Sequence, residues 1–347
     1  MAFTIELLNV GDEDRAKRWE TYVQGQRQAS GYHSLGWKVV LERVYGYRTY
    51  YLYARDGRDV LGILPLALVG TRVTGRALVS LPFTSYGGIV SDDADVVAGL
   101  FEAGAELSRR LGVSYVELRH FERTPIAAPT KTHKVTMWLD LPPSVDTLWK
   151  AFPTALRTDI RKRIKDGLEV RIGGAEELEN FYRVYSTNMR DLGTPVYPKA
   201  FFTTILAEWP GSAWIATCRH QGEAVASGFL LGFRGTLEIP WASSLKTRKS
   251  LRPNMLLHWE CLRHAIDSGF TRFDFGRSPL SGGTQTFKSQ WGARAVPLYW
   301  QYWLARGTEI PDVNRENPRF TPAIRIWQRL PLWLTRLVGP RLARHFP

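Results

Sequence analysis

The sequence predicts a mixed α/β (α+β) protein in which one unit is built twice. Three observations predict it. A β-hairpin pattern occurs once in each half of the chain. Each hairpin is followed by a helix and a short strand, and the marker glycines of the two copies keep nearly the same spacing. The 347 residues give room for two domains. With 44% apolar and 23% charged residues the composition is that of a folded globular chain, which excludes a disordered or collagen-like one.

The first hairpin is read in residues 50–69, YYLYARDGRDVLGILPLALV, with its turn at Asp56-Gly57. The second is AWIATCRHQGEAVASGFLLGF, residues 213–233, with its turn at Gln221-Gly222. Glycine accepts the positive φ that such turns need. Residues 94–111 then read as a helix and 113–120 as a strand; the second copy has residues 253–268 and 270–276. Gly112 and Gly269 end the helices as left-handed caps, and five residues later each strand carries an acid, Glu117 or Asp274. The hairpin glycines lie 165 residues apart and the capping glycines 157 apart. The Pro-rich stretch at Leu141-Pro142-Pro143-Ser144 is the expected boundary. The expected domains are 1–141 and 145–310, followed by a basic amphipathic tail, 311–347. In that tail Ile324, Trp327, Leu330, Leu334 and Leu337 fall at helical spacings, and from Val313 onward it holds seven arginines and one glutamate.

The net charge is +13, which asks for a phosphate-rich substrate, RNA or an anionic membrane surface as partner. The longest apolar run, residues 60–70, contains Pro65 and is too short to cross a bilayer, and the N-terminus turns polar too early for a signal peptide. The expected location is the cytoplasm or the inner face of the membrane. Two cysteines, Cys218 and Cys261, make neither a disulfide framework nor a zinc site, and no metal is expected.

Three constellations bear chemistry. Residues 150–165 hold six basic residues and one acid, and on a helix Arg157, Arg161 and Lys165 recur every four residues, with Lys162 beside them. That stripe suits a phosphate or nucleic-acid backbone, and equally a solvated helix face. Lys246, Arg248, Lys249 and Arg252 precede Pro253, which suits the first turn of a helix, and a cationic loop there suits an anion. The run FTRFDFGRSPLSGGTQTFKSQWG, residues 270–292, alternates Phe273 and Phe275 on one face with Arg272 and Asp274 on the other, then enters a Gly-rich loop. Polar groups just past a strand end beside such a loop are a common active-site layout. His258 and His264 are six apart, which does not suit a helical metal pair, and are expected at the surface and its boundary. Phosphate-loop and dinucleotide glycine motifs are absent, and no Gln/Arg-x-x-Gly-x-Gly/Ala loop of the kind that cradles the pyrophosphate of acetyl-CoA leads into the helix at residues 253–268.

These residues carry a resemblance. Residues 251–260, LRPNMLLHWE, followed by Gly269, Asp274-Phe275-Gly276, Phe287-Lys288 and Trp291-Gly292, resemble the second catalytic unit of FemAB-type aminoacyl transferases. The basic helix of residues 156–170 resembles the one that opens that unit. The run from Asn188 to Pro195 and the Trp/Pro/Arg-rich tail are similar to the FemAB-related subgroup of exosortase (PEP-CTERM) and exopolysaccharide loci. The resemblance implies two tandem GNAT-like (acyl-CoA N-acyltransferase) domains and an acyl or aminoacyl transfer to an amine. Fem enzymes take aminoacyl-tRNA and extend peptidoglycan cross-bridges. This chain departs from them in lacking a long coiled-coil insertion in its second half.

On that resemblance Lys288 is the expected electrostatic stabiliser, with Asp274 and Arg277 positioning it or the substrate. Phe287 and Gln290 are expected to contact substrate, and Arg157, Arg161, Lys162 and Lys165 to hold phosphates. No tightly bound cofactor is implied; the donor is aminoacyl-tRNA or acyl-CoA. The acceptor is a phosphate-bearing small molecule or a lipid-linked cell-envelope or exopolysaccharide precursor. Residues 313–347 are expected to offer a peripheral membrane contact, and sequence-specific DNA is not an expected partner. The alternatives are an acyl-CoA-dependent N-acyltransferase acting on an amino sugar, and a non-catalytic scaffold of an exopolysaccharide or exosortase system.

Overall fold

The computed structural model describes residues 3–71, 75–280, 282–310 and 321–345. The first half runs β1 (Thr4–Leu7), α1 (Glu13–Gly25), α2 (Leu35–Tyr45), β2 (Arg48–Asp56), β3 (Asp59–Thr71), β4 (Gly75–Val79), α3 (Ala94–Leu111), β5 (Tyr115–His120), β6 (Thr130–Lys131) and β7 (Lys134–Asp140). The second half runs α4 (Val145–Ala151), α5 (Thr154–Lys165), β8 (Leu168–Gly173), α6 (Leu178–Leu192), α7 (Lys199–Glu208), β9 (Ala213–His220), β10 (Glu223–Phe233), β11 (Thr236–Ser244), α8 (Pro253–Asp267), β12 (Arg272–Pro279), α9 (Gly283–Ser289), β13 (Arg294–Pro297) and β14 (Tyr299–Leu304). Two helices follow, α10 (Thr321–Arg329) and α11 (Leu332–Ala343).

Local chemistry explains the ends of the predicted elements. Gln221 and Gly222 both take positive φ, 52° and 79°, as a two-residue hairpin turn requires. Asp93 caps α3 by accepting from the amides of Asp95 and Val96, and Gly112 closes it in the left-handed conformation. Pro253 opens α8, and past its end Phe270 N–H returns to Ala265 O.

The strands form two seven-stranded sheets whose orders match position for position. One is β1-β2-β3-β4-β5-β14-β6; the other, read from β8, is β8-β9-β10-β11-β12-β7-β13. In both, a parallel pair sits mid-sheet: β4 with β5, where Val79 faces Glu117, and β11 with β12, where Glu238 faces Asp274. The duplication read from the hairpins is therefore a duplication of topology. In each sheet the fifth strand is flanked by a strand from the other half of the chain, β14 beside β5 and β7 beside β12.

The compact units follow this exchange. One comprises residues 1–134, 297–313 and 344–347, the other 135–296 and 314–343. The expected boundary at 141 and the expected end of the second domain at 310 differ from these units. β7, ahead of the boundary, belongs to the second sheet, and β14, inside the expected second domain, belongs to the first. Strand pairing is non-local, and neither periodicity nor proline content reports it. The tail is not a separate body either: α10 and α11 pack on α6. Its residues 311–320 lie outside the described residues.

In the first unit α3 covers the sheet through Val96, Val97, Leu100 and Leu107. In the second, alternation along β10 sends Leu230 to the α8 side, with Leu237, Phe273 and Phe275. It sends Phe229 to the α6 side, among Phe181, Phe202 and Trp241. Each such buried side chain contributes about 1.5–3 kcal/mol.

Candidate active site

The site grows from the parallel pair of the second unit. β11 and β12 keep register from Thr236 opposite Arg272 to Glu238 opposite Asp274. There the register of β11 on β10 shifts, so that Ile239 and Pro240 together oppose Leu230. This bulge bends β11. Beside it Gly276 takes φ +72°, and a Cβ there would stand 3.1 Å from Ile239 O, so the position requires glycine. Glu238 and Asp274 are neighbours on one face of the sheet, both buried.

Asp274 is fully buried. It accepts from Thr136 Oγ1 at 2.6 Å and Trp138 Nε1 at 3.0 Å, both on β7, and from Gly276 N–H at 2.8 Å. Hydrogen bonds of this kind are what a buried carboxylate needs. The last of them fixes the turn at Gly276. The carbonyls of that turn in turn hold Lys288 of α9, whose Nζ donates to Gly276 O at 2.9 Å and Arg277 O at 3.1 Å. An ammonium has three N–H groups, so one is left for a ligand. Burial pulls the Lys288 pKa down to about 8; the carboxylates of Asp274 and Glu238 oppose that fall and Arg277 adds to it. The Arg277 side chain is exposed.

Phe287 is half-buried and packs edge-on against His258, ring centroids 5.0 Å apart, with Trp291 behind at 6.3 Å. Gln290 is exposed, with its amide 3.9 Å from Met255 Sδ. Gln290 and Trp291 wall a cavity of about 690 Å³ together with Leu139, Leu148 and Phe152. The Gly-rich loop before α9 is described from Gly282; Ser281 lies outside the described residues.

His258 corrects its expected surface position. It is 4% exposed and stacks on Phe275 at 5.8 Å. Its Nδ1–H donates to Asn254 O at 2.8 Å, and burial, aided by the charge of Lys288, pulls its pKa down to about 4. The ring is neutral at physiological pH with Nε2 as an acceptor. The sequence held a signal for this: His258 follows Met255 by three residues and precedes Leu262 by four, on the apolar stripe of α8. Glu238 was also missed, because an acid in an apolar strand becomes visible only through its register with Asp274.

The basic stripe is a real helix face, on α5. Arg161, Lys162 and Lys165 are exposed, and Arg157 is half-buried. Arg161 lies 5.2 Å over the Trp149 ring. No hydrogen bond joins these four to Lys288. Arg163, in the same run, is buried and spent on Asp159, Asp166 and Leu251 O. In the loop before α8, Arg248 pairs with Glu223 and Arg252 with Asp159, while Lys246 and Lys249 are exposed.

Residues 154–289 match the family described as Acetyltransferase (GNAT) domain. The second unit carries a GNAT acyltransferase domain. The GNAT match covers α5 through α9 and includes Lys288. No curated protein matches the sequence. Among solved structures the fold is similar to FemX, at 11% identity and TM-score 0.66, covering 86% of this chain and 96% of that one. It is similar to a tandem GNAT protein from the clavulanic acid biosynthesis pathway, at 13% identity and TM-score 0.56, covering 89% and 100%. It is also similar to the C-terminal domain of a putative lysylphosphatidylglycerol synthetase from Agrobacterium fabrum, at 14% identity and TM-score 0.55, covering 84% and 92%. The chain thus has a tandem GNAT-like fold and is an acyltransferase. Among the described residues no helix is long and apolar enough to cross a membrane.

Proposed function

We propose that the protein transfers an acyl or aminoacyl group to an amine and forms an amide. The new bond joins the amine nitrogen to the donor carbonyl carbon. The donor's ester C–O or thioester C–S bond breaks, and the proton lost by the amine leaves with the released hydroxyl or thiol. The observation that carries this reading is Lys288, an ammonium held by two carbonyls of the turn that follows the β11–β12 pairing, with one N–H to spare. Aimed at the carbonyl oxygen, it stabilises the charge that develops as the amine attacks. Asp274 acts through the Gly276 turn, so both it and the Arg277 carbonyl are positioning groups. Phe287 and Gln290, on either side of Lys288 in sequence, are the residues that would contact substrate.

The donor is an aminoacyl-tRNA or an acyl-CoA. After β11 the chain has no glycine cradle for a pyrophosphate; it has the exposed cations Lys246 and Lys249. With Arg157, Arg161, Lys162 and Lys165 they suit a donor whose phosphates are held by side chains, which favours the tRNA. The acceptor in this reading is an amine on a cell-envelope or exopolysaccharide precursor, the setting of the exosortase-associated FemAB-like proteins.

The test is to incubate the full chain with aminoacyl-tRNA and, separately, with acyl-CoA, supplying amino-sugar nucleotides and lipid-linked amino sugars. Mass spectrometry then reads the acceptor. A new amide whose formation Lys288→Ala abolishes supports the reading; ester formation, or transfer untouched by Lys288→Ala, overturns it.

A further inference from the structure

Helix α11 is inside out. Thr335, Gly339 and Ala343, spaced every four residues, are its buried stripe. Trp333 and Leu337 are 66% and 57% exposed, and with Arg341 they form the stripe about 200° away, on the opposite face. Of the apolar stripe expected in the tail, Ile324, Trp327, Leu330 and Leu334 are half-buried, and Leu337 points outward. The inward residues are small because the helix lies close against the loop after α6. A Cβ on Gly339 would stand 2.8 Å from Val196 Cγ1 and 3.0 Å from its backbone nitrogen. Arg336 fixes the helix by donating to Ser186 Oγ at 2.9 Å and lying 5.5 Å over the Tyr182 ring. α10 is held likewise, with Gln328 donating to Asp191 O at 3.0 Å, and it leaves Ile326 64% exposed.

The charged side chains that α10 and α11 themselves carry have one sign. After Glu316 the sequence has no Asp or Glu, and Arg325, Arg329 and Arg341 are all exposed. We propose that the outer face of α10 and α11 seats the protein on an anionic lipid bilayer. Trp333, Leu337 and Ile326 enter the headgroup boundary, where tryptophan is favoured, and the arginines meet the lipid phosphates. Stable attachment to a bilayer takes two signals, and this face carries both, apolar insertion and positive charge. A second copy of the chain is a poorer occupant, because a two-fold contact would set the arginines of these two helices against one another. The inference stands independently of the amide-forming reading.

Flotation of the full chain tests it, using vesicles of phosphatidylcholine alone and of phosphatidylcholine with equimolar phosphatidylglycerol. The expected result is binding to the mixed vesicles that weakens with salt. Trp333→Ser combined with Leu337→Ser should lower the partition coefficient at least about tenfold. Arg329→Gln combined with Arg341→Gln should remove the preference for phosphatidylglycerol. All four side chains are exposed, and an unchanged circular dichroism spectrum and melting temperature verify the fold. Lys288→Ala should float like the unmodified chain, which separates this result from the fate of the transfer reading. Absence of flotation with mixed vesicles overturns the proposal. So does flotation that ignores the Trp333/Leu337 variant, or a dimer in sedimentation equilibrium that this variant dissolves without any vesicle binding.

Discussion

Glu117 and Asp274 occupy the same place in the two duplicated sheets, and their surroundings could hardly differ more. Glu117 is closed within its own unit. Arg119 Nε donates to it at 2.7 Å and Tyr302 OH at 2.9 Å, and Arg119, 2% exposed, lies 4.4 Å over the Trp300 ring. The backbone past β4 then folds over the strand end. Gly87 and Gly88 N–H both donate to Arg119 O, and Ile89 N–H donates to His120 Nε2, whose pKa burial pulls down to about 3. Asp274 instead holds a turn, and the turn holds a half-buried lysine with an N–H to spare. One copy commits its carboxylate to an internal ion pair; the other uses it to present a cation. A duplicated fold can thus divide its labour at a single equivalent residue, with one unit spending its carboxylate on an internal ion pair and the other, in the proposed reading, on chemistry.

That division can be broken. Arg119→Met leaves the Glu117 carboxylate buried without its cation and should cost about 3–5 kcal/mol of unfolding free energy in urea. Turnover per folded molecule should stay within about twofold, and a larger loss would show that the first unit shares in the chemistry. Lys288→Ala should do the opposite. It should lower kcat at least about 100-fold, about 2.7 kcal/mol in barrier, with the urea midpoint little changed. The pH profile sharpens the contrast. A reaction that needs the Lys288 ammonium loses rate as pH rises through about 8, where the group deprotonates. Asp274 supports the charged form, so Asp274→Asn should move that loss to lower pH. The smallest effect is expected on α5: Arg161→Gln with Lys165→Gln should raise KM for a phosphate-bearing donor several-fold and flatten its salt dependence, with kcat unchanged.

The sequence disclosed most of what is local. Both hairpin turns, the glycine caps and the alternation of Phe273, Asp274 and Phe275 follow from φ preferences and strand period. It disclosed little of what depends on pairing across the chain. That β7 lies beside β12 decides which residues bond Asp274, and nothing in the sequence around Thr136 or Trp138 marks them as partners of a residue more than 130 positions away. Within the basic run of α5, burial of Arg163 follows from Asp159 and Asp166 at its i−4 and i+3 positions, a local pattern hidden by the density of positive charge. The reversed face of α11 was hidden for another reason. Apolar spacing finds a helix, while the side it buries is set by how closely a neighbour approaches, and close approach selects small residues.

The reciprocal loan of β7 and β14 has a consequence for biosynthesis. Most multidomain chains condense one domain at a time as they leave the ribosome. Here the first sheet waits for residues 299–304, so β5 is made about 180 residues before the strand that pairs with its free edge. A ribosome that stalls after α9 would display a sheet with an unfilled edge, a target for chaperones and for self-association.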